Sequence, residues 1–371
     1  MIYAVISYIL YPLIWLLSRA FSTPGGPVLV IQTAKIGDMI CSTPVFREIK
    51  RAFPDRRLSV MAAPSSAGLL RCNPRVDEII EFDRKRYGGI SGKLAFASKI
   101  RKKGFGAAVI LLPNSENIVI PLWALIPVRV CVYPDFAGAT MKALMSLNTS
   151  VERHSAERTS IETYIGALRH LGITGCSTDK EVYSCPGASE KARAFLRDGR
   201  YVGMVLGTAN PLKDWGSGRM KELAGLILSR TPYSVVFLGG PQDRAAASGI
   251  IDGLGEKARV LNSCGSFSLL EMPEVIKRLS LVVGVDTGLI YMADALGVAL
   301  IVIAGPCVMD QRPTGARSVI VRNTASKCPP CVSIFKTPYE CRMEHRECVT
   351  GITAEEVMHR VSEMLRTGQA L

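Results

Sequence analysis

The sequence predicts an α/β chain built from two doubly wound domains, and three observations carry that expectation. Short β-rich runs alternate with helical ones, as parallel sheets joined by crossover helices require. The alternation stalls once, in the irregular stretch "GITGCSTDKEVYSCPGASE" at 172–190, and then resumes. With 371 residues and 48% hydrophobic composition, the chain exceeds what one compact core usually fills. The expected organisation is an apolar N-terminal segment at 1–24, a first domain at 25–175 and a second at 176–371.

The N-terminal segment "MIYAVISYILYPLIWLLS" holds no charge and is followed by Arg19 and the breaker "STPGGP". Eighteen helical residues reach about 27 Å, short of a hydrocarbon core of about 30 Å, and Pro12 interrupts them. A basic start and a small-residue cleavage site, the marks of a secretory signal, are missing. Tyr3, Tyr8, Tyr11 and Trp15 suit a membrane–water boundary, so the preferred reading is an apolar helix lying on a membrane, ahead of a true span or a helix packed on its own protein.

Strands are expected at 28–31, 58–62, 76–82, 107–112 and 129–133 in the first domain. A helix over 44–53 puts Val45, Phe46, Ile49, Ala52 and Phe53 on one face, with Thr43 as N-cap and Pro44 at the first helical position. A long helix at 156–171 closes the domain. The second domain repeats the pattern with strands at 202–206, 234–238, 259–261, 281–285 and 300–303 and helices such as 220–229. Thr353 and Glu356 have the spacing of a capping box and start a final helix.

Ligands of open parallel sheets gather at the carboxyl ends of the strands, and the unusual residues fall there. Asp38, in "TAKIGDMI", follows the first strand; plain helix capping is the reading that a catalytic role must displace. "LGTANPLKDW", "FLGGPQDR" and "VGVDTGLIYMADALG" follow strands of the second domain. In the last, the N–H groups of Thr287, Gly288 and Leu289 can face a phosphate at a helix start. Gly288 permits close approach and Thr287 adds a hydroxyl. Asp286 would be repelled by that phosphate, so it caps the turn or bonds a ligand hydroxyl. Gly207 and Thr208 offer backbone and hydroxyl donors, and Gly239 and Gly240 let a nucleoside approach.

Residues 1–150 carry 19 basic and 9 acidic side chains, whereas 151–371 carry 26 and 23. The first domain therefore presents a positive field toward an anionic partner. Nucleic acid ranks last among such partners, because no base-reading motif or aromatic platform accompanies the charge. Of the 11 cysteines, most are scattered, which suits reduced thiols rather than a disulfide framework. Cys328, Cys331, Cys341 and Cys348 group more tightly, leaving structural zinc, reduced thiols or a local disulfide as alternatives.

Taken in order, "KIGDMICSTPVFREIKRAFP", "LGTANPLKDW" and "VGVDTGLIYMADALGVALIVIAGP", with the Cys-rich tail, resemble glycosyltransferase family 9, the ADP-heptose:lipopolysaccharide heptosyltransferases and their relatives. The resemblance runs from residue 28 to the C-terminal helix. It implies the GT-B fold, two Rossmann-like domains facing a cleft, with acceptor bound mainly by the first and sugar nucleotide by the second. It also implies that transfer needs no metal. Asp38 then takes the role of the base that accepts the acceptor hydroxyl's proton, with inversion at the anomeric carbon. The nearby helix N-terminus favours its ionised form, which suffices if the proton moves late. Lys213 matches the family's donor-site lysine and would neutralise charge growing on the departing diphosphate; a surface lysine paired with Asp214 is the bland reading. Lys35 is the nearest cation for an acceptor contact.

The chain departs from the family pattern at Gln32, where an arginine is common, and at Tyr291, where a histidine is. The implied partners are a nucleotide sugar, an anionic lipid-linked glycan and a membrane surface, at the cytoplasmic face of a bacterial inner membrane. A sugar-nucleotide epimerase of the same form and an inactive membrane-tethered sugar-nucleotide binder are the competing functions.

Overall fold

The computed structural model describes residues 2–20, 25–134, 138–155 and 157–367. Residues 22–24 of the breaker and position 156, where the long helix is predicted to begin, lie outside the described residues, as does the Tyr3 side chain. The chain divides into two compact units, Met1–Lys180 and Glu181–Leu371.

The first unit holds a six-stranded parallel sheet made of β1 (Val28–Gln32), β2 (Leu58–Ala62), β3 (Glu78–Glu81), β4 (Ala107–Ile110), β5 (Val128–Tyr133) and β6 (Ser150–Arg153). Its order is β3-β2-β1-β4-β5-β6, so connectivity reverses between β1 and β4. Val28 pairs with Leu58 on one side and Ala107 on the other. The second unit holds β7 (Tyr201–Val205), β8 (Ser234–Leu238), β9 (Val260–Asn262), β10 (Leu281–Val285), β11 (Leu300–Ile303) and β12 (Ser318–Val321). Its order, β12-β11-β10-β7-β8-β9, is the same winding, with the reversal between β7 and β10. Both sheets are thus the doubly wound type that the alternating sequence predicts.

Central strands are mostly apolar because both faces are covered: every residue of β1, β2, β7 and β10 is buried. In the first unit Leu29, Ile31, Phe96, Ile110 and Ile118 share one core. In the second, Met204, Trp215, Leu223, Phe237, Val283 and Val357 share another. The strands that sequence reading misses, β6 and β12, are both sheet edges. Each is four residues long and half-buried, with one neighbour, so its apolar signal is weak.

Three helix expectations change. The apolar N-terminal segment forms two short helices, α1 (Ile2–Ile9) and α2 (Tyr11–Ala20), in place of one. The break falls at Leu10, before Pro12, which sits in the first turn of α2 where a missing N–H costs nothing. Among the described residues, no helix is long and apolar enough to cross a membrane. Beyond α3 (Ile36–Cys41), α4 (Thr43–Ala52) has Ser42 at its N-cap, and Thr43 is already helical, its hydroxyl donating to the Ile40 carbonyl at 2.7 Å. The long helix is α6 (Ser160–Ala167), following α5 (Ser115–Trp123) in the order used here, and it starts late because Thr159 and Glu162 form a capping box. The box at Thr353 and Glu356 forms as its spacing predicts, with the Thr353 N–H donating to Glu356 Oε2 at 2.7 Å.

Cys72 and Cys185 are both disulfide-bonded, against the expectation of reduced thiols. Among the described residues, Cys41, Cys131, Cys176, Cys264, Cys307 and the four tail cysteines are in no disulfide.

Candidate functional site

In the first unit, the turn after β1 stands at the point where the sheet order reverses. Lys35 is the N-cap of α3 and Asp38 its third residue. The Lys35 N–H donates to Asp38 Oδ2 at 3.2 Å, so the carboxylate does cap its own helix. It is half-buried, and Lys35 is exposed. Capping uses one carboxylate oxygen for one backbone donor and does not by itself exclude a second role.

Four side chains fix this turn. Gln32 is fully buried; its Oε1 accepts from the Ala34 N–H at 3.3 Å and its Nε2 donates to Ser42 Oγ at 3.0 Å. Ser42 in turn donates to the Asp38 carbonyl at 2.7 Å. Ser66, after β2, donates to the Ala34 carbonyl at 3.0 Å. Asn117 of α5 donates to Thr33 Oγ1 at 2.9 Å and to the Leu112 carbonyl at 2.9 Å, joining the turn to the loop after β4. The glutamine that departs from the family pattern is thus the hub of the Asp38 turn.

In the second unit, the loops after β7 and β10 meet where that sheet reverses. Lys213 Nζ lies 2.6 Å from Asp286 Oδ2, with side-chain exposures of 17% and 11%. Tyr291 donates a short hydrogen bond to Asp286 Oδ1. Burial by itself would raise the Asp286 pKa, but the charge of Lys213, donation from the Cys307 thiol and donation from Lys213 and Tyr291 outweigh it, holding the carboxyl below its ordinary range. Burial first, and then the Asp286 charge, push the Cys307 thiol well up, so it stays protonated as a donor. The lysine's partner is therefore Asp286 and not the adjacent Asp214.

Asp286 does not cap the following helix. Thr287 is the N-cap of α8 (Gly288–Ala295), counting α7 (Ser217–Arg230) before it, and supplies no side-chain cap. Gly288 and Leu289 open the helix, so their N–H groups are the orphan donors of its first turn. The expectation that residues 287–289 meet an anion rests on these donors.

Gly207 and Gly239 both pack against one side chain, which the sequence hides. A Cβ on Gly239 would stand 2.6 Å from Asp243 Oδ2, and one on Gly207 would also collide with that carboxylate. Asp243 Oδ2 accepts from the Gly240 N–H at 2.8 Å. Close approach here is made by Asp243, which sequence reading did not single out. Its signal was the spacing of "GGPQD", an acid three residues after a glycine at a helix start. Gly207, Thr208, Asp214, Ser217 and Asp243 line a cavity of ≈ 430 Å³. Thr208 Oγ1 accepts from the Asn210 N–H at 3.3 Å.

The C-terminal tail braces the Lys213 loop. Asn210 donates to the Pro338 carbonyl at 2.9 Å, Arg346 to the Pro211 carbonyl at 2.6 Å, and the buried Trp215 to the Ile352 carbonyl at 2.8 Å. Burial first, and then neighbouring tail thiols, raise Cys331 and Cys348. Among the described residues, however, no group of three His, Cys, Asp or Glu side chains is placed to hold a metal ion, so zinc at Cys328, Cys331, Cys341 and Cys348 gains no support.

A family model described as glycosyltransferase family 9 (heptosyltransferase) matches residues 94–341, which include the Lys213–Asp286 region and exclude Lys35 and Asp38. The chain is similar to lipopolysaccharide heptosyltransferase 2 of Salmonella typhimurium, 25% identical over 301 residues, or 77% of this chain and 84% of the relative. Its structure is similar to that of the Escherichia coli ADP-heptose LPS heptosyltransferase II, with a TM-score of 0.73 at 20% identity, covering 92% of this chain and 99% of the other. A family 9 glycosyltransferase from Veillonella parvula gives a TM-score of 0.75 at 22% identity, covering 92% and 97%. These structural likenesses show the fold: two Rossmann-like domains of the GT-B class.

Proposed function

The chain belongs to glycosyltransferase family 9, and from that premise we propose that it moves a heptose or related sugar from ADP-heptose, or a similar nucleotide sugar, to a lipopolysaccharide core or other anionic lipid-linked glycan. The observation that carries this reading is the Lys213–Asp286 pair beside the open start of α8: a lysine held by a carboxylate next to the N–H donors of a helix start suits a diphosphate.

In this reading the first domain holds the acceptor and the second the donor. Asp38 accepts the proton of the attacking hydroxyl as the new bond forms at the anomeric carbon. The bond from that carbon to the diphosphate oxygen breaks on the opposite face, and configuration inverts. The negative charge that leaves with the diphosphate is met by Lys213 and by the N–H groups of Gly288 and Leu289, with Thr287 and Thr208 as hydroxyl donors. Asp286 faces Lys213 and not the phosphate, holding the lysine in place. Lys35, exposed one turn from Asp38, contacts an acceptor phosphate or carboxylate. No metal ion takes part in the proposed step.

The test incubates purified protein with ADP-heptose and heptose-deficient lipopolysaccharide, and follows ADP release and the mass of the glycan. Release of ADP matched by a one-heptose gain supports transfer. Donor binding with no turnover supports an inactive binder, and a reworked nucleotide sugar without acceptor supports an epimerase.

A further inference from the structure

The N-terminal helix pair is turned inside out. Its inward stripe is the buried Ser7, Ile14 and Ser18 with the half-buried Tyr11, spaced four, three and four residues apart in chain order, as one helical face is. Two of those four are serines, 0% and 2% exposed. They are placed by specific bonds: Trp123 Nε1 of α5 donates to Ser7 Oγ at 2.8 Å, and Ser18 Oγ donates to the Trp15 carbonyl at 2.8 Å. The opposite face presents Val5, Ile9, Leu13 and Leu16 at 59%, 71%, 54% and 59% exposure. A helix that faced water on that side would carry polar residues there.

We infer that α1 and α2 form an anchor that lays this outward apolar face into the surface of an anionic lipid bilayer, while the inward face keeps the first domain attached. Three observations choose lipid as the occupant. The helices of 8 and 10 residues reach about 12 and 15 Å, so they lie in the interface and do not cross it. The chain has no acidic residue before Asp38, and its first 150 residues carry a surplus of ten positive charges, complementary to anionic headgroups. The Arg19 guanidinium stacks 4.0 Å from the Trp15 ring centroid, at the end of the apolar face where headgroups begin. This attachment needs neither sugar donor nor acceptor, so it stands or falls separately from the proposed transfer.

Flotation of the full chain with glycan-free vesicles tests it, using phosphatidylcholine alone and phosphatidylcholine with about one-third phosphatidylglycerol. The wild-type protein is expected to float with the anionic vesicles and more weakly with neutral ones. Ile9→Asp with Leu16→Asp is expected to lower the partition coefficient at least about tenfold, with circular dichroism unchanged. Should that pair perturb folding, Leu13→Gln with Leu16→Gln gives the same direction with no added charge. Wild-type protein that ignores both vesicle types, or variants that float as well as wild type, would overturn the inference. So would a lipid-free wild-type dimer that the substitutions dissociate, which would make the face a contact between two copies.

Discussion

Lys213 Nζ and Asp286 Oδ2 stand 2.6 Å apart, tying the loop after β7 to the loop after β10. Because the Asp286 carboxyl titrates below its ordinary value when folded, its contribution to stability is fully present above the unfolded value of about 3.9 and is lost as pH falls through the lower folded value. The thermal midpoint of the wild-type protein should therefore drop steeply below about pH 4. Asp286→Asn should show a lower midpoint at pH 7 and a shallower acid slope, read by calorimetry across pH 2.5–7 (roughly the range in which carboxylates titrate). Parallel curves for the two proteins would mean that Asp286 is not the group whose protonation matters.

Breaking the pair from its other side has a different signature. Lys213→Ala leaves a buried carboxylate without its cation, which should cost about 3–5 kcal/mol of stability. Adding Asp286→Ala should recover part of that cost, since the unpaired charge is then gone. Donor affinity should fall at least about tenfold in both variants, because the diphosphate loses its cation either way. Urea unfolding and calorimetric titration with ADP measure the two effects. Recovery of ADP affinity in the double variant would remove Lys213 from the donor site.

Asp38→Asn separates capping from proton transfer. The amide oxygen can accept the Lys35 N–H as the carboxylate does at 3.2 Å, so the turn should keep its shape and its unfolding midpoint. An amide is no base, and turnover should fall by about 10²–10⁴ while donor affinity stays within about twofold. Turnover close to wild type would leave Asp38 with capping alone.

Gly239→Ala tests the packing of the Asp243 carboxylate. The new methyl would stand 2.6 Å from Asp243 Oδ2, so either the turn or the aspartate must move. A loss of about 1–3 kcal/mol is expected, together with weakened donor binding. Asp243→Ala in the same chain frees the space and should restore part of the stability, although it forfeits the bond to the Gly240 N–H. Absence of any rescue would place the strain elsewhere.

Both windings were legible because central parallel strands are apolar on both faces, and runs such as "VLVI" and "LVVGV" leave little alternative. The edges β6 and β12 were not, since one neighbour and half-burial leave no comparable signature. Within the site, glycine, lysine and aspartate positions could be read from their place after strands. Their pairings could not: "KDW" makes Asp214 the obvious partner of Lys213, whereas the fold brings in Asp286, 73 residues away. Such long-range choices depend on strand order, which the order β12-β11-β10-β7-β8-β9 supplies and local spacing does not.

Gln32 is the clearest case of a residue whose role only the fold reveals. In sequence it is the polar end of an apolar strand. In the structure it is fully buried, and its side-chain amide satisfies the Ala34 N–H and holds Ser42 Oγ, which in turn fixes the carbonyl of Asp38. Gln32→Ala would strip both partners at once and leave the part-buried Ala34 N–H and the buried Ser42 hydroxyl without this partner, at a cost of about 1–3 kcal/mol. Because the disturbed bonds lie on the Asp38 side alone, kcat should fall about tenfold or more while ADP affinity, which the proposed function assigns to the second domain, stays unchanged. Gln32→Glu keeps the acceptor for Ala34 but turns the donor facing Ser42 into an acceptor. Ser42 can then rotate its hydroxyl toward residue 32 only by giving up the Asp38 carbonyl. The glutamate variant also places a carboxylate at a fully buried position, so it should lose at least as much stability as the alanine one and still lose turnover. Equal kcat in all three proteins would show that the position of Asp38 does not depend on this network.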